Sequence, residues 1–348
     1  MKRKWKRSVA AALALCMAAA LAACGNAPTL QEPLESESAP SGETTGQTYS
    51  FTVGTSASGG AVYGVGAGLS QLLNEKVPGL ELRAIATGGA VDNVALMSRD
   101  EIQLACNASA VNGMAYAGEQ EGLDAQTNLR GICSLYPSVF HFAATKSSGI
   151  TSLEDLKGTK GAVGQSASAT DVYTQHVLGM LGIDYKDRQD ITPVYCDPAA
   201  AAEQMKDGHI EWGHMPLGIP GSAVTDLALS SDIVLLPIEG EFRDELIEKY
   251  PYYVPYTIPA GTYNGIDEDV ETVACVITLV ADESVDEEIV YQMTKAIWEN
   301  LDEVKQISGS MSWMDPADPA AGIGVPLHPG AQRYYEEAGM LTEEQAAQ

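Results

Sequence analysis

Residues 49–60 read YSFTVGTSASGG, and this stretch decides the fold class. Its first five residues alternate with a period of two, which is the pattern of a half-buried β-strand. A loop of Gly, Ser, Thr and Ala follows, and apolar residues then recur at helical spacing from Val62 to Leu73. The stretch therefore predicts a strand, a loop of small residues and a helix in direct succession.

The same order returns in the second half of the chain, where residues 160–170 read KGAVGQSASAT. Strand patterns lie at 80–85, 103–107, 160–163, 191–196, 234–238 and 273–280, and helix patterns follow near 90–97, 170–181, 198–208 and 287–300. Alternating strands and helices predict mainly parallel sheets covered by helices. Two similar halves predict an α/β protein with two lobes, and residues 132–142 read as an extended crossover between them.

Small-residue loops of this kind can hold an anion. They expose backbone N–H groups, and the helix N-terminus behind each loop carries a partial positive charge. The loop hydroxyls are those of Ser56, Ser58, Ser166, Ser168 and Thr170. The alternative is that these residues are turn formers and N-caps only. Because open α/β sheets bind ligands at the carboxyl ends of their strands, both loops are expected to border a cleft between the lobes.

The N-terminus has the pattern of a bacterial lipoprotein signal. Five basic residues precede an apolar run that is too short to span a bilayer, and the run ends in Leu21-Ala22-Ala23-Cys24. We expect a signal peptide over 1–23, lipidation of Cys24 and a flexible linker over 24–48. The alternative is a plain signal peptide cut near Ala23. Lipidation would place the protein on the outer face of the cytoplasmic membrane, with the lipid as its only membrane contact.

The charge balance excludes one class of partner. The chain has 47 acidic and 20 basic residues, a formal net charge of −27. Such a surface repels phosphate backbones, so nucleic-acid binding is not expected.

Cysteines, histidines and enzyme motifs indicate no cofactor and no catalysis. Cys106, Cys133, Cys196 and Cys275 stand in apolar stretches, which favours free thiols, although three disulfide pairings are open. His209 and His214 lack the spacing of metal ligands on one helical face. Residues 164–168, GQSAS, lack the final glycine of a nucleophile elbow. We therefore expect no metal site, no cofactor and no enzyme.

Five segments together resemble the TAXI family of solute receptors, which serve TRAP-type secondary transporters. The segments are 53–66, 87–93, 164–183, 200–220, and 258–263 joined to 327–335. They occur in family order and cover nearly all of residues 49–339. The resemblance implies a type II-like periplasmic-binding-protein fold, with lobe 1 over 49–144 plus 274–345, lobe 2 over 145–273, and a hinge between the two.

The resemblance also implies a function. A lipid-anchored receptor would capture a small organic acid or amino acid such as glutamate, glutamine or 2-oxoglutarate, and deliver it to an ion-coupled TRAP permease in the membrane. A receptor for an ATP-driven importer has the same two-lobed shape and is the main alternative. An exported enzyme and a surface sensor are further alternatives.

Eleven residues are the expected ligand contacts. They are Thr55, Ser56, Ser58, Tyr63, Thr87, Asn107, Tyr136, Ser166, Ser168, Thr170 and Tyr263. The tyrosines are expected to close the pocket, since each offers an apolar ring face and a hydroxyl. The chain departs from the usual family pattern at Ala90, at Val62 and around Asn107, which removes polar groups and favours a less polar or differently shaped acid.

Overall fold

The computed structural model describes residues 48–58, 60–120, 122–166, 168–186 and 190–341. They form a mixed α/β protein with two sheets, as the sequence predicts. The strands are β1 (Tyr49–Gly54), β2 (Leu80–Ile85), β3 (Leu104–Ala108), β4 (Leu129–Val139), β5 (Phe142–Thr145), β6 (Lys160–Ala162), β7 (Thr192–Val194), β8 (Trp212–His214), β9 (Ile233–Leu236), β10 (Tyr253–Ile258) and β11 (Val270–Asp282). The predicted signal peptide and Cys24 lie outside the described residues.

Ten α-helices accompany the strands in the described part of the chain. They are α1 (Ala61–Lys76), α2 (Ala90–Met97), α3 (Ser109–Ala117), α4 (Ala169–Met180), α5 (Pro198–Lys206), α6 (Ser222–Ser230), α7 (Gly240–Lys249), α8 (Glu287–Glu299), α9 (Leu301–Ile307) and α10 (Pro329–Ala338). None of the described helices is long and apolar enough to cross a bilayer.

Sheet 1 has the strand order β10-β11-β3-β1-β2, and β4 also pairs with β11. The pairs of β1 with β2 and with β3 are parallel, whereas β11 runs antiparallel to β3, β4 and β10. Helices α1, α2, α3, α8 and α10 contact this sheet. Every residue of β3 is buried, and so is β11 from Thr272 onward, as expected for strands at the centre of a covered sheet.

Sheet 2 has the strand order β7-β6-β8-β5-β9. Strand β6 is parallel to β7 and β8, and β5 is antiparallel to β8 and β9. We call sheet 1 with its helices lobe 1, and sheet 2 with α4, α5 and α6 lobe 2. Two strands pair in a different sheet from the one that the expected lobe boundaries indicate. Strand β5 lies mostly within the range expected for lobe 1 but pairs in sheet 2, and β10 lies within the range expected for lobe 2 but pairs in sheet 1.

Local sequence explains where helix α8 starts and which of its faces is buried. The Asp286 carboxylate caps it by accepting hydrogen bonds from the N–H groups of Glu288 and Ile289. Its buried face includes Val290, Met293 and Ile297, which recur at helical spacing. The helix ends at Glu299, one residue before the predicted end. A helix with such an amphipathic face derives most of its stability from the packing of that face on the sheet.

All four cysteines of the described chain are free. Cys106, Cys133 and Cys275 are buried and Cys196 is half-buried. Burial raises the pKa of Cys106 to about 12, so this thiol stays protonated. In the described residues no group of three or more His, Cys, Asp or Glu side chains could hold a metal ion.

Candidate ligand-binding site

A cavity of about 190 Å³ lies between the two lobes. Lobe 1 contributes Thr55, Ser56, Val62 and the turn 88–91. It also contributes four strand residues that we call the cavity floor, namely Cys106, Ala108, Ser138 and Ile277. Lobe 2 contributes residues 168–170, Tyr173 and Pro216. Three larger cavities, of about 360, 420 and 530 Å³, contain no residue of the loop 164–170. The interlobe cavity is therefore the candidate site, because it alone among these four is bordered by both small-residue loops.

On the lobe 1 side, hydrogen bonds between neighbouring loops fix the cavity wall. The Thr55 hydroxyl donates to the Ile85 carbonyl oxygen at 2.6 Å, and the Thr87 hydroxyl donates to the Thr55 carbonyl oxygen at 2.9 Å. The Gly89 N–H donates to the Thr87 hydroxyl at 3.2 Å. These bonds tie the loop after β1 to the loop after β2. The Thr87 hydroxyl thus both donates and accepts within the protein, and Thr87 does not line the cavity.

Behind that wall lies a chain of buried amides. The Asn93 amide donates to the Thr55 carbonyl oxygen at 2.7 Å and to the Asn107 side-chain oxygen at 3.2 Å. The Asn107 amide donates to the side-chain oxygen of Asn112 at 2.7 Å and to the Ala90 carbonyl oxygen at 3.3 Å. Asn107 is 1% exposed and contacts no part of the cavity. The structure thus places it as a support for the turn at Ala90.

Replacing Asn107 by leucine is expected to lower the free energy of unfolding by about 2–3 kcal/mol. The substitution leaves the Asn112 side-chain oxygen without its donor and removes a second bond, to the Ala90 carbonyl oxygen, and an unpaired buried polar group costs about 1–3 kcal/mol. Urea unfolding of the variant and of the parent chain measures this difference. An unchanged unfolding midpoint would contradict the supporting role of the amide chain.

On the lobe 2 side, α4 presents its first turn to the cavity. The Ser168 hydroxyl caps the helix by accepting from the Asp171 N–H at 3.3 Å. Tyr173 lies one turn further along and also lines the cavity. Its ring stacks on Phe140 with centroids 5.0 Å apart and meets Tyr253 edge-on at 5.9 Å. These aromatic contacts join α4 to Phe140, which follows β4, and to Tyr253, the first residue of β10. They therefore hold the first turn of α4 in place.

The buried side chain of His214 contacts α4 on its side facing sheet 2 through Thr174. The Nδ1 atom of His214 lies 2.7 Å from the Thr174 hydroxyl, and its ring stacks on Phe142 with centroids 4.0 Å apart. Burial holds the pKa of His214 well below its usual range, with a smaller effect from nearby His141. The imidazole is therefore neutral and serves as a packing group of lobe 2.

The electrostatics of the cavity come from backbone dipoles. Three helices, α1, α2 and α4, begin at or beside lining residues. None of the sixteen lining residues is Asp, Glu, Lys, Arg or His. The first turns of α2 and α4 each carry an acidic residue, but the Asp92 carboxylate accepts from the Gly88 N–H and Asp171 pairs with Lys186 at 2.9 Å. The site can therefore hold an anion through N–H groups and hydroxyls without a cation.

Four of the eleven predicted contacts line the cavity, namely Thr55, Ser56, Ser168 and Thr170. Ser58 and Ser166 are exposed, and Tyr63 is half-buried on α1. None of these three residues lines the cavity. The two small-residue loops therefore meet as the sequence predicts, but only part of each loop faces the cavity.

Two of the predicted tyrosines are fully enclosed. The Tyr263 hydroxyl donates to Nε2 of His141 at 2.8 Å and accepts from the Gly221 N–H at 2.8 Å. The structure places it in the packing of lobe 2, away from the cavity. Tyr136 is 4% exposed on β4 and its hydroxyl has no hydrogen-bond partner among the described residues. It lies beside the cavity floor.

Several lining residues were missed by sequence reasoning. Tyr173 stands three positions after Thr170 on a predicted helix, so the helical period could have found it. Ser138 is one of two serines in the largely buried strand β4, and Pro216 follows a short strand. Nothing in the local sequence distinguishes these two. Ser138 belongs to lobe 1 and Pro216 to lobe 2, and both reach the cavity because the two lobes border it together.

Comparison with known protein families identifies a family whose model matches most of this chain. The model of the NMT1-like family matches residues 53–339. The chain belongs to the NMT1-like family. The match begins at the end of β1 and reaches the end of α10, so it includes both lobes and the whole cavity. The finer resemblance to TAXI receptors remains a prediction.

Similar solved structures include three bacterial proteins. The alkanesulfonate-binding protein SsuA from Xanthomonas axonopodis pv. citri, bound to MOPS, is 15% identical, with a TM-score of 0.44 over 86% of this chain and 84% of that one. A TctC solute binding protein from Polaromonas is 14% identical, with a TM-score of 0.47 over 86% and 100%. A putative L-cystine ABC transporter from Listeria monocytogenes is 11% identical, with a TM-score of 0.45 over 76% and 96%. At these values the likeness carries no information about the ligand of this chain.

Proposed function

We propose that this chain is an extracytoplasmic solute receptor that captures a small organic acid or amino acid for a membrane transporter. The observation that carries the proposal is the interlobe cavity. Loops from both lobes border it, and the N-termini of α1, α2 and α4 meet there. A small anion placed there would contact both lobes, so its binding would favour closure of the cleft by a hinge motion.

The polar groups at the cavity suit binding rather than covalent chemistry. The hydroxyls of Thr55, Ser168 and Thr170 line it without an adjacent histidine or carboxylate among the lining residues. A serine or threonine nucleophile needs a neighbouring base to be activated. The Thr55 hydroxyl donates to the Ile85 carbonyl oxygen and can still accept from a bound ligand, whereas the hydroxyls of Ser168 and Thr170 can donate to it. These groups therefore support a receptor without catalytic activity.

The partner we propose is a TRAP-type permease driven by an ion gradient, and the receptor would reach it from a lipid anchor at Cys24. The support for both is the sequence pattern. An ATP-driven importer is the alternative partner. Uptake of a bound solute by cells expressing the chain with its permease separates the two. Collapse of the ion gradient should stop uptake by a TRAP system, whereas depletion of ATP with the gradient maintained should stop an importer.

The binding function is tested by calorimetry on the full chain in detergent. The panel contains glutamate, glutamine, 2-oxoglutarate, succinate and short-chain monocarboxylates. Binding of at least one of them is expected, with stoichiometry near one per chain. Absence of binding across the panel at millimolar concentrations would contradict the proposed function.

Replacing Thr170 by valine is expected to weaken binding of the solute so identified by about tenfold. Valine keeps the shape of threonine and removes one hydroxyl that lines the cavity, and a hydrogen bond to a charged ligand contributes about 1.5–3 kcal/mol. Ser166→Ala is the matched control, since Ser166 belongs to the same loop but is exposed and outside the cavity. Equal effects of the two substitutions would remove Thr170 from the site.

A further inference from the structure

The cavity floor is one face of sheet 1. Cys106 and Ala108 alternate along β3, and Ile277 is the pairing partner of Ala108 on β11. Ser138 adds a hydroxyl from β4. Residues two apart on a strand, and residues directly opposite on paired strands, point to the same side of a sheet. These four lining residues therefore define which sheet face the ligand meets.

Tyr136 belongs to that face by two independent relations. It stands two residues before Ser138 on β4, and it is the pairing partner of Ile277 on β11. Burial raises the pKa of Tyr136, and the nearby Cys106 thiol adds a smaller effect in the same direction, so the two side chains lie close together. The side chain is not itself among the sixteen lining residues, but it lies on the same sheet face as Ser138 and Ile277, which are.

The Tyr136 hydroxyl differs from most buried tyrosine hydroxyls in this chain. Those of Tyr185, Tyr253 and Tyr335 are all hydrogen-bonded within the protein. That of Tyr136 has no partner among the described residues, although the side chain is only 4% exposed. Burial raises its pKa, so it stays protonated and can donate a hydrogen bond. A buried donor without an acceptor costs free energy, which a bound oxygen would recover.

The charges at the cavity limit the ligand to one anionic group. The helix N-termini there can stabilise a carboxylate, but no lysine, arginine or histidine lines the cavity to hold a second one. The remaining surface is largely apolar, with Val62, Val91 and Ile277 on lobe 1 and Tyr173 on lobe 2. A volume of about 190 Å³ is below the roughly 300–1,000 Å³ typical of drug-sized ligands.

We propose, resting on the receptor function above, that the ligand is a short monocarboxylate with an aliphatic chain and one neutral oxygen, the chemistry of a 2-oxo monoacid. Its carboxylate lies at the N-termini of α1, α2 and α4. Its chain packs on the apolar lining. Tyr136 donates to the neutral oxygen and determines the preference for ligands that carry it. A dicarboxylate of the same length is rejected because its second charge would enter an apolar surface without a cation.

Three probes with five carbons test this by calorimetry on the full chain in detergent. They are pentanoate, 2-oxopentanoate and 2-oxoglutarate, which differ by one oxo group and one terminal carboxylate. We expect 2-oxopentanoate to bind most tightly, with each of the other two weaker by at least about tenfold, the equivalent of one net hydrogen bond or more. The wild-type series alone decides the ligand class.

Two matched variants test the role of Tyr136. Tyr136→Phe is expected to weaken 2-oxopentanoate by about tenfold and to leave pentanoate nearly unchanged, because only the former has the oxygen that the hydroxyl meets. Tyr252→Phe is the control, since it removes another buried hydroxyl without a partner, at a side chain that lines a different cavity, the one of about 530 Å³. It should change neither affinity. Equal losses for both acids in Tyr136→Phe would overturn the assignment of Tyr136.

The outcomes separate the two proposals. Tighter binding of 2-oxoglutarate or glutamate than of 2-oxopentanoate would overturn the monoacid inference and would leave the receptor function in place. Binding of none of the probes, with no binding of glutamate, glutamine or succinate either, would contradict the receptor function itself.

Discussion

Lowering the pH from 7 to 5 is expected to reduce the free energy of unfolding by about 2 kcal/mol through His141 alone. Burial lowers the pKa of this side chain from its usual 6.5 to about 4. Between these two values the unfolded chain binds a proton that the folded chain excludes, so stability falls as the pH falls through that window. The stabilisation is complete above pH 6.5 and is lost below pH 4.

The surroundings of His141 explain why it stays neutral. Nδ1 donates to the carbonyl oxygens of Val139 at 2.8 Å and Met215 at 3.0 Å. Nε2 accepts from the Tyr263 hydroxyl at 2.8 Å. Both ring nitrogens are thus satisfied by the neutral form, and a second proton would displace the tyrosine donor. A cation in this position would also be fully buried.

His176 contributes to the same pH dependence. Burial lowers its pKa to about 4, with a smaller effect from Lys249. The ring stacks on Tyr250 with centroids 4.0 Å apart, and Nδ1 pairs with the Tyr253 hydroxyl at 2.7 Å. Because this side chain is only half-buried, water stabilises part of its charged form, and we expect a smaller loss than for His141.

Urea unfolding of the full chain in detergent at pH 7, 6 and 5 measures the effect. His141→Gln replaces the imidazole by an amide that does not titrate, and the variant should lose the His141 share of the slope, about 2 kcal/mol between pH 7 and pH 5, while the share of buried His214 remains. His176→Phe keeps the stack on Tyr250 and should lose a smaller part. Carboxylates titrate in all three proteins, so their contribution cancels in the comparison. An identical slope in the His141→Gln variant and the parent chain would contradict the prediction.

Much of the fold could be predicted because its signals are local. Strand β2 has the bounds 80–85 that its period-two pattern predicts, and α8 differs from its predicted end by one residue. The two small-residue loops also meet at one cavity, since strand–loop–helix units bring loops to the carboxyl ends of neighbouring strands. Periodicity and turn chemistry act over a few residues, so a single sequence contains them.

The rest depends on contacts between distant residues. Tyr263 pairs with His141 across 122 positions, and no local pattern at either residue indicates the other. Asn107 follows a strand, as a ligand contact would, yet the amides of Asn93 and Asn112 enclose it. Strand β10 joins sheet 1 although the five strands immediately before it, β5 to β9, all belong to sheet 2. These placements follow from tertiary packing, which overrides local preference.

Replacing Gly330 by alanine is expected to lower the free energy of unfolding by about 3 kcal/mol. Gly330 lies where α10 crosses α8, and an added Cβ would stand 2.7 Å from the Tyr291 backbone nitrogen and closer still to the Glu287 carbonyl oxygen. Both are backbone atoms of α8, so the clash can be relieved only by separating the two helices. Overpacking of this kind costs about 1–3 kcal/mol, and more where the neighbours cannot move.

Neither helix is free to move. The start of α10 is held by His328, whose Nε2 donates to the Val285 carbonyl oxygen at 3.0 Å. Further along α10, the Tyr335 hydroxyl donates to the Ile132 carbonyl oxygen of β4 at 2.7 Å. On the other side, α8 buries Val290 and Met293 completely. Separation of the helices would break these contacts, which places the expected loss at the upper end of the range.

Gly64→Ala is the matched control for this prediction. Gly64 lies inside α1, and an added Cβ there meets nothing within 4 Å. Alanine stabilises a helix interior by about 0.5–1 kcal/mol relative to glycine, so this variant should unfold at a higher urea concentration than the parent chain. The same substitution thus has opposite expected signs at two helical positions, because helix propensity decides at Gly64 and interhelical contact decides at Gly330. A gain in stability at both positions would show that α10 can move away from α8, and would contradict the packing that the structure assigns to them.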